Sequence, residues 1–311
     1  MTAQNKKKRR YTWKDHLFIL SCVVIPVVNF LVFYIYVNID SFVMAFQMPK
    51  NGQLVWTFDN FRWVWDKIVN GSTNQRDDLR LAFANTFLTF LVQIAMFVVG
   101  LFVSYFLYKK IFGYRYFRIL FFLPSLVSAV VTSIFYIQLM NSDFVPHLLE
   151  KIYHLDYEMK SPLVDSKFAN RMIFLNLIWL NFPSNMILWG GTFARIPAEV
   201  LESAKIDGCG WLRELFQIIL PIVWPTFVIL ITTQVAGIFG ATGNVFLLTG
   251  GNYGTQTVSN WMYLYVQTAN GTMSTNLYRA AALGFILTIV SCALALLIRK
   301  FLTSRVEEVQ Y

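Results

Sequence analysis

Residues 172–194 carry three amides, Asn176, Asn181 and Asn185, together with the indole of Trp179. Pro183 in the same stretch removes one helix hydrogen bond and frees the carbonyl of Trp179. Amides bond sugar hydroxyls and an aromatic face takes the C–H face of a sugar ring, so this group has the chemistry to hold a saccharide. In residues 218–239 and just beyond, Thr233, Gly237 and Gly240 recur at spacings of four and three. On one continuous helix they would share a face and leave room for a solute. Helix–helix packing explains both groups as well, since small residues and buried amides also join helices, and the two readings stand open. No residue is assigned a catalytic role, because the chain lacks G-x-x-x-x-G-K-[ST], H-E-x-x-H and G-x-S-x-G. His147 and His154 lie near Glu150 and Asp156, a grouping that reads as a solvated loop face, with no metal site expected.

The elements that must position these residues are set by composition. Of 311 residues, 56% are hydrophobic and 14% charged, against about 25% charged in ordinary globular chains. This excludes a disordered chain and a typical soluble enzyme. Cys22, Cys209 and Cys292 form no paired motif and read as small apolar packers. Net charge is +9, but no nucleic-acid motif accompanies it; Lys6, Lys7, Lys8, Arg9, Arg10 and Lys14 instead precede an apolar stretch.

Crossing a bilayer takes about 20 apolar residues, and six segments qualify: 17–37, 81–107, 119–140, 172–194, 218–239 and 280–298. The sequence predicts an all-α integral membrane protein. Its parts are a basic tail (1–16), a first span with an external aromatic segment (17–80), a core of five spans (81–301) and a short tail (302–311). The N-tail, the 108–118 loop, the 195–217 segment and the C-tail hold 6, 4, 3 and 3 Lys and Arg, whereas the longer opposite-side segments hold 5, 4 and 1. Both termini are therefore expected in the cytoplasm. None of the six spans contains Asp, Glu, Lys, Arg or His, which argues against a proton-coupled carrier and points to an energy source outside the spans. Trp56, Phe58, Phe61, Trp63 and Trp65 are expected on an amphipathic helix at the outer membrane–water boundary.

The segment from Pro197 to Pro221 is the most informative. Pro197 and Glu199 suit a helix start, and Asp207-Gly208 suits its end. The short helix between them presents Val200, Leu201, Ala204 and Cys209 to protein and keeps Glu199, Glu202, Lys205 and Asp207 polar. With three basic and four acidic residues, the 195–217 segment matches an anionic leaflet poorly, so docking to a protein is favoured.

Glu202-Ser-Ala204, Gly208 and, after nine residues, Ile218-x-Leu220-Pro221 resemble the E-A-A…G…I-x-L-P motif of permease subunits of binding-protein-dependent ABC importers. The phrase from Pro197 to Gly208 is similar to the carbohydrate branch, the type I permeases. Asn85-Thr86, Phe122-Leu123-Pro124, Leu247 to Gly254 and Arg279-Ala-Ala-Ala resemble it too, although Asn252 and Tyr253 replace the usual third Gly and Pro.

The resemblance implies a type I fold of six transmembrane helices in a bacterial plasma membrane. It implies a second, different permease chain, two ATPase subunits that bind ATP and Mg, and an extracellular solute-binding protein that delivers sugar. This chain itself would need no cofactor. The stretch 197–213 would be the coupling helix: Glu202 would pair with the ATPase, Ala204 would permit close approach, and Asp207 and Gly208 would set the turn. The substrate path would draw on Asn176, Trp179, Asn181, Asn185, Thr233, Gly237 and Gly240. Alternatives are the same machine carrying glycerol phosphate or an amphiphile, an ion-coupled carrier, or a membrane enzyme.

Overall fold

The computed structural model describes residues 13–304 except 51, 75, 155, 243, 270, 272 and 273. The basic residues 6–10 and the tail after 304 lie outside the described residues. In chain order the elements are α1 (Leu17–Ala45), a hairpin of β1 (Gln47–Lys50) and β2 (Gln53–Trp56), α2 (Asp59–Asn70), α3 (Leu79–Tyr108), α4 (Tyr114–Leu126), α5 (Ala129–Met140), α6 (Phe144–Tyr153), α7 (Ala169–Phe193), α8 (Ala198–Ile206), α9 (Trp211–Ala236), α10 (Val245–Leu248), α11 (Val258–Gln267) and α12 (Thr275–Thr303). Five of these, α1, α3, α7, α9 and α12, are each long and apolar enough to cross a membrane.

The third expected span, 119–140, is not one rod. It is α4 and α5 meeting at 101°. Pro124 has no N–H to continue the ladder, the chain tightens into a 3₁₀ turn at Leu123–Leu126, and Val127 and Ser128 are extended before α5 starts. If the pair counts as one span, the chain crosses six times.

At the centre α3 lies against α7 so closely that a Cβ at Gly100 would come within 2.8 Å of the Asn185 Cβ. The Trp189 indole donates to the Phe97 carbonyl at 3.1 Å and the Ser104 hydroxyl to the Met186 carbonyl at 3.2 Å. In a medium without competing water such bonds fix the register of two helices. By contrast α1 is exposed from residue 17 to residue 42. It is held at its far end, where Phe42 and Phe46 meet the Phe285 ring edge-on at 5.7 and 5.2 Å.

The 38–80 segment differs from a simple boundary helix. Asn60, fully buried, donates to the carbonyls of Ala45 and Gln47 and ties α2 to the end of α1 and to the hairpin. Trp63 turns inward against Trp261 and Tyr265, with the Arg279 guanidinium 4.6 Å from its ring centre, and Phe61 packs on the same core. Trp56, Phe58 and Trp65 stay outward. Only these outward rings are free to meet a membrane boundary.

The loop after α10 folds back on the start of α3. Asn85 donates to the carbonyls of Gly254 and Gln256 at 2.8 and 2.9 Å, and the Val258 amide donates to the Thr86 hydroxyl at 2.9 Å. Gly251 has φ +81° there, and a Cβ would fall 2.0 Å from the Gln256 side-chain oxygen. Gly251→Ala should therefore destabilise the protein by about 1–3 kcal/mol through overpacking. A lowered unfolding midpoint in detergent would show it, while an unchanged midpoint would mean that the loop does not brace α3.

Candidate functional site

Two places gather the residues that the sequence marks. The first is α8 and its turn. The helix starts at Ala198 with Pro197 extended just before it, and Asp207 follows its last residue. Gly208 takes φ +65° with open space around a built Cβ, so the backbone angle requires the glycine. The Cys209 amide donates to the Ala204 carbonyl and the Gly208 amide to the Lys205 carbonyl, which pairs the last carbonyls of the helix. Ala204 is buried, and Leu201 packs on a cluster of Phe97, Tyr105, Trp189, Phe193, Ile196 and Leu215. Glu199, Glu202, Ser203, Lys205 and Asp207 face outward, and Ile206 is 86% exposed. The helix is thus seated on the ends of α3, α7 and α9 and offers a polar face with one apolar tip.

A pair of charges that sequence reasoning missed locks this seat. Glu214, 3% exposed at its side chain, accepts two 2.8 Å hydrogen bonds from the Lys109 ammonium. The Tyr105 hydroxyl lies 3.3 Å from both Glu214 Oε1 and the Trp211 carbonyl. These groups join the end of α3 to the start of α9, immediately after α8. Sequence reading starts the fifth span at 218; the helix starts at Trp211, through a π-helical stretch at Glu214–Ile219. The wider π turn carries Glu214 inside. An acid directly before an apolar run and a basic loop elsewhere are visible in the sequence, but their pairing is not.

The second place is a cleft of about 360 Å³ between α3, the α4–α5 bend, α7 and the residues Gly240, Thr242 and Asn244. It is lined by Gln93, Ser125, Thr132, Asn181, Ser184, Thr242 and Asn244, with Gly240 at its edge, and no lining residue is ionisable. Gln93 and Asn181 stand at the midpoints of α3 and α7, so the cleft lies near mid-depth of the spans. Here α9 has ended at Ala236, and the chain continues through a single 3₁₀ turn, Ile238–Gly240, and an extended Ala241. Non-helical backbone at membrane depth is stable only inside protein or beside a water-filled cavity.

The sequence-marked path residues divide accordingly. Asn181 and Gly240 line the cleft. Asn176, fully buried, accepts from the Asn244 amide at 3.4 Å, and its own amide nitrogen has no partner among the described residues. Asn185 is packed against Gly100. Trp179 meets Phe135 at 6.3 Å and is 38% exposed. The Thr233 hydroxyl, on the exposed side of α9, donates to the Ile229 carbonyl. Gly237 caps the end of α9, so the face expected for Thr233, Gly237 and Gly240 does not continue to Gly240. Gln93, Ser125, Thr132, Ser184, Thr242 and Asn244 were missed, because isolated hydroxyls and amides in apolar sequence carry no spacing signal. His147 lies 3.7 Å from Glu150, and His154 ends α6 in a left-handed conformation.

Residues 96–308 match the family described as binding-protein-dependent transport system inner membrane component. The chain belongs to this family. The permease is 26% identical over 278 residues, 87% of its length, to the arabinooligosaccharides transport system permease protein AraP of Bacillus subtilis (strain 168), covering 84% of that protein. It is also 26% identical over 195 residues to the sn-glycerol-3-phosphate transport system permease protein UgpA of Agrobacterium fabrum (strain C58 / ATCC 33970), covering 62% of this chain and 65% of that one. A chain in the crystal structure of a bacterial ABC transporter involved in import of the acidic polysaccharide alginate shares its fold. The TM-score is 0.72 at 18% identity, with 95% of this permease and 99% of that chain covered. The permease is thus a multi-pass membrane transport component with a type I fold, dependent on a binding protein.

Lys109→Met would leave Glu214 buried and unpaired. Since Lys109 is 28% exposed, the expected cost is about 1–3 kcal/mol, less than for a fully buried pair. Lys109→Met with Glu214→Gln should recover much of it, because both charges are then gone. Thermal unfolding in detergent distinguishes the two; equal midpoints for the single and double variants would show that the charges are not coupled.

Proposed function

We propose that this permease carries a neutral glycan, received from an extracellular binding protein, through the mid-depth cleft, driven by separate ATPase subunits. The observation that carries the reading is the non-helical stretch after α9 beside the cleft. The chain leaves its helix between Gly237 and Asn244 where a hydroxyl- and amide-lined, uncharged cavity opens. Hydroxyl and amide groups without ionisable neighbours suit a polyhydroxylated neutral solute. AraP, named for arabinooligosaccharides, supports a neutral glycan, whereas the structural relative belongs to a transporter involved in import of the acidic polysaccharide alginate and supports a glycan but not its neutrality. Glycerol 3-phosphate, for which UgpA is named, is the second reading, and the absence of a cation in the cleft lining weighs against it. Family membership weighs against an ion-coupled carrier or a membrane enzyme.

The α8 face is the element through which force enters. A second permease chain would complete the path, and two ATPase subunits, with their ATP and Mg, would seat Glu202, Ile206 and Asp207 in a cleft. Nucleotide acts only to the extent that it binds the inward- and outward-facing arrangements differently. The Lys and Arg distribution supports cytoplasmic termini, with α8 on the same side.

In vesicles holding the assembled importer and its binding protein, Glu202→Lys should reduce ATP-driven uptake to background while membrane insertion is retained. Undiminished uptake would refute the docking role. Gly240, where a Cβ meets open space, offers a separate test: Gly240→Trp should plug the cleft and stop uptake while basal ATP hydrolysis continues. Transport at the unmodified rate would place the path elsewhere.

A further inference from the structure

We propose that the cleft between α3, α4 and α7 is a binding site for an anionic phospholipid, with an acyl chain in the groove and the phosphate on Arg118. The 101° break between α4 and α5 swings α4 away from a continuous span and opens a cavity of about 570 Å³. Its walls are apolar, including Leu107, Ile119, Leu123 and Met186, and its floor on α7 is formed by Gly190 and Gly191. A Cβ at either glycine would meet nothing within 4 Å. The groove is therefore open space that any larger side chain would fill.

Charge selects the occupant. Arg118 lies at the cleft and makes no hydrogen bond or ion pair among the described residues. The 108–118 loop holds Lys109, Lys110, Arg115 and Arg118 and no acid. Glu214 neutralises Lys109, which leaves Lys110, Arg115 and Arg118 without a paired acid among the described residues, and Arg118 is the one that lines the apolar slot between membrane helices. Basic pockets of this type between spans bind acidic headgroups, and a planar guanidinium takes phosphate in bidentate fashion. A zwitterionic lipid would satisfy the slot but not the charge. The inference does not depend on which solute is carried.

The test incubates the assembled importer with mixed micelles of equimolar phosphatidylglycerol and phosphatidylcholine and counts retained lipid by native mass spectrometry. The unmodified protein should retain phosphatidylglycerol over phosphatidylcholine by roughly fivefold, the effect of one cation near the surface. Arg118→Gln should remove the preference, Arg118→Lys should keep part of it, and Gly191→Leu should lose the tightly retained lipid altogether. Equal retention of the two lipids by the unmodified protein, or a preference unchanged in Arg118→Gln, would overturn the proposal. A thiol at 191 gives an independent check: in the assembled, lipid-stripped importer Gly191→Cys should react with a small maleimide. Shielding there, but not in the isolated chain, would mean that a protein partner fills the groove and would also overturn the proposal.

Discussion

A hydrocarbon interior supplies no hydrogen-bond partner, so every amide and carbonyl at membrane depth must be satisfied by the protein or by enclosed water. This constraint orders the whole molecule. The permease obeys it with continuous helices at α1, α3, α7, α9 and α12, and departs from it at two breaks, Val127–Ser128 and Gly237–Asn244. The mid-depth cleft is lined from both. A chain that needed only to be stable in a bilayer would have no reason to interrupt two helices beside each other. The interruptions place hydroxyls, amides and open backbone where a polar solute can replace water.

The end that carries α8 is built on the opposite principle, rigidity. A buried carboxylate is tolerable only when its charge is met, and Glu214 is met by Lys109, with the Tyr105 hydroxyl within 3.3 Å. The pair sits on α3 and α9, which also supply the apolar cluster under Leu201 of α8. The helix ends on which α8 rests are therefore already joined by charge and by aromatic packing. Farther along α9 the Trp224 indole donates to the Leu302 carbonyl near the end of α12, so a second neighbour holds α9.

Much of this was legible in the sequence. Apolar length alone located the spans, and the short helix α8 followed from Pro197, Asp207-Gly208 and the alternation of Leu201 and Ala204 with Glu202 and Lys205. The break at Pro124 was missed because an apolar run of the right length hides a change of direction; hydropathy counts residues and does not see dihedrals. Glu214 was missed for a related reason. A π-helical start to α9 rotates a residue counted as loop into the interior, and its partner lies far away in the chain. At the cleft, Asn181 and Gly240 were readable as chemistry, whereas Asn185 has the same side chain as Asn181 but is spent on the close approach of Gly100. Identical residues on one helix differ in role by which face they occupy, and only tertiary packing assigns the face.

The near-isolation of α1 shapes how the sequence is free to drift. From residue 17 to residue 41 its side chains stay exposed among the described residues. Selection from within the fold acts there on greasiness and length, not on shape, so Val, Ile, Leu and Phe are interchangeable at most of those positions. Residues 42–46 are the point at which complementarity to Asn60 and Phe285 begins to matter.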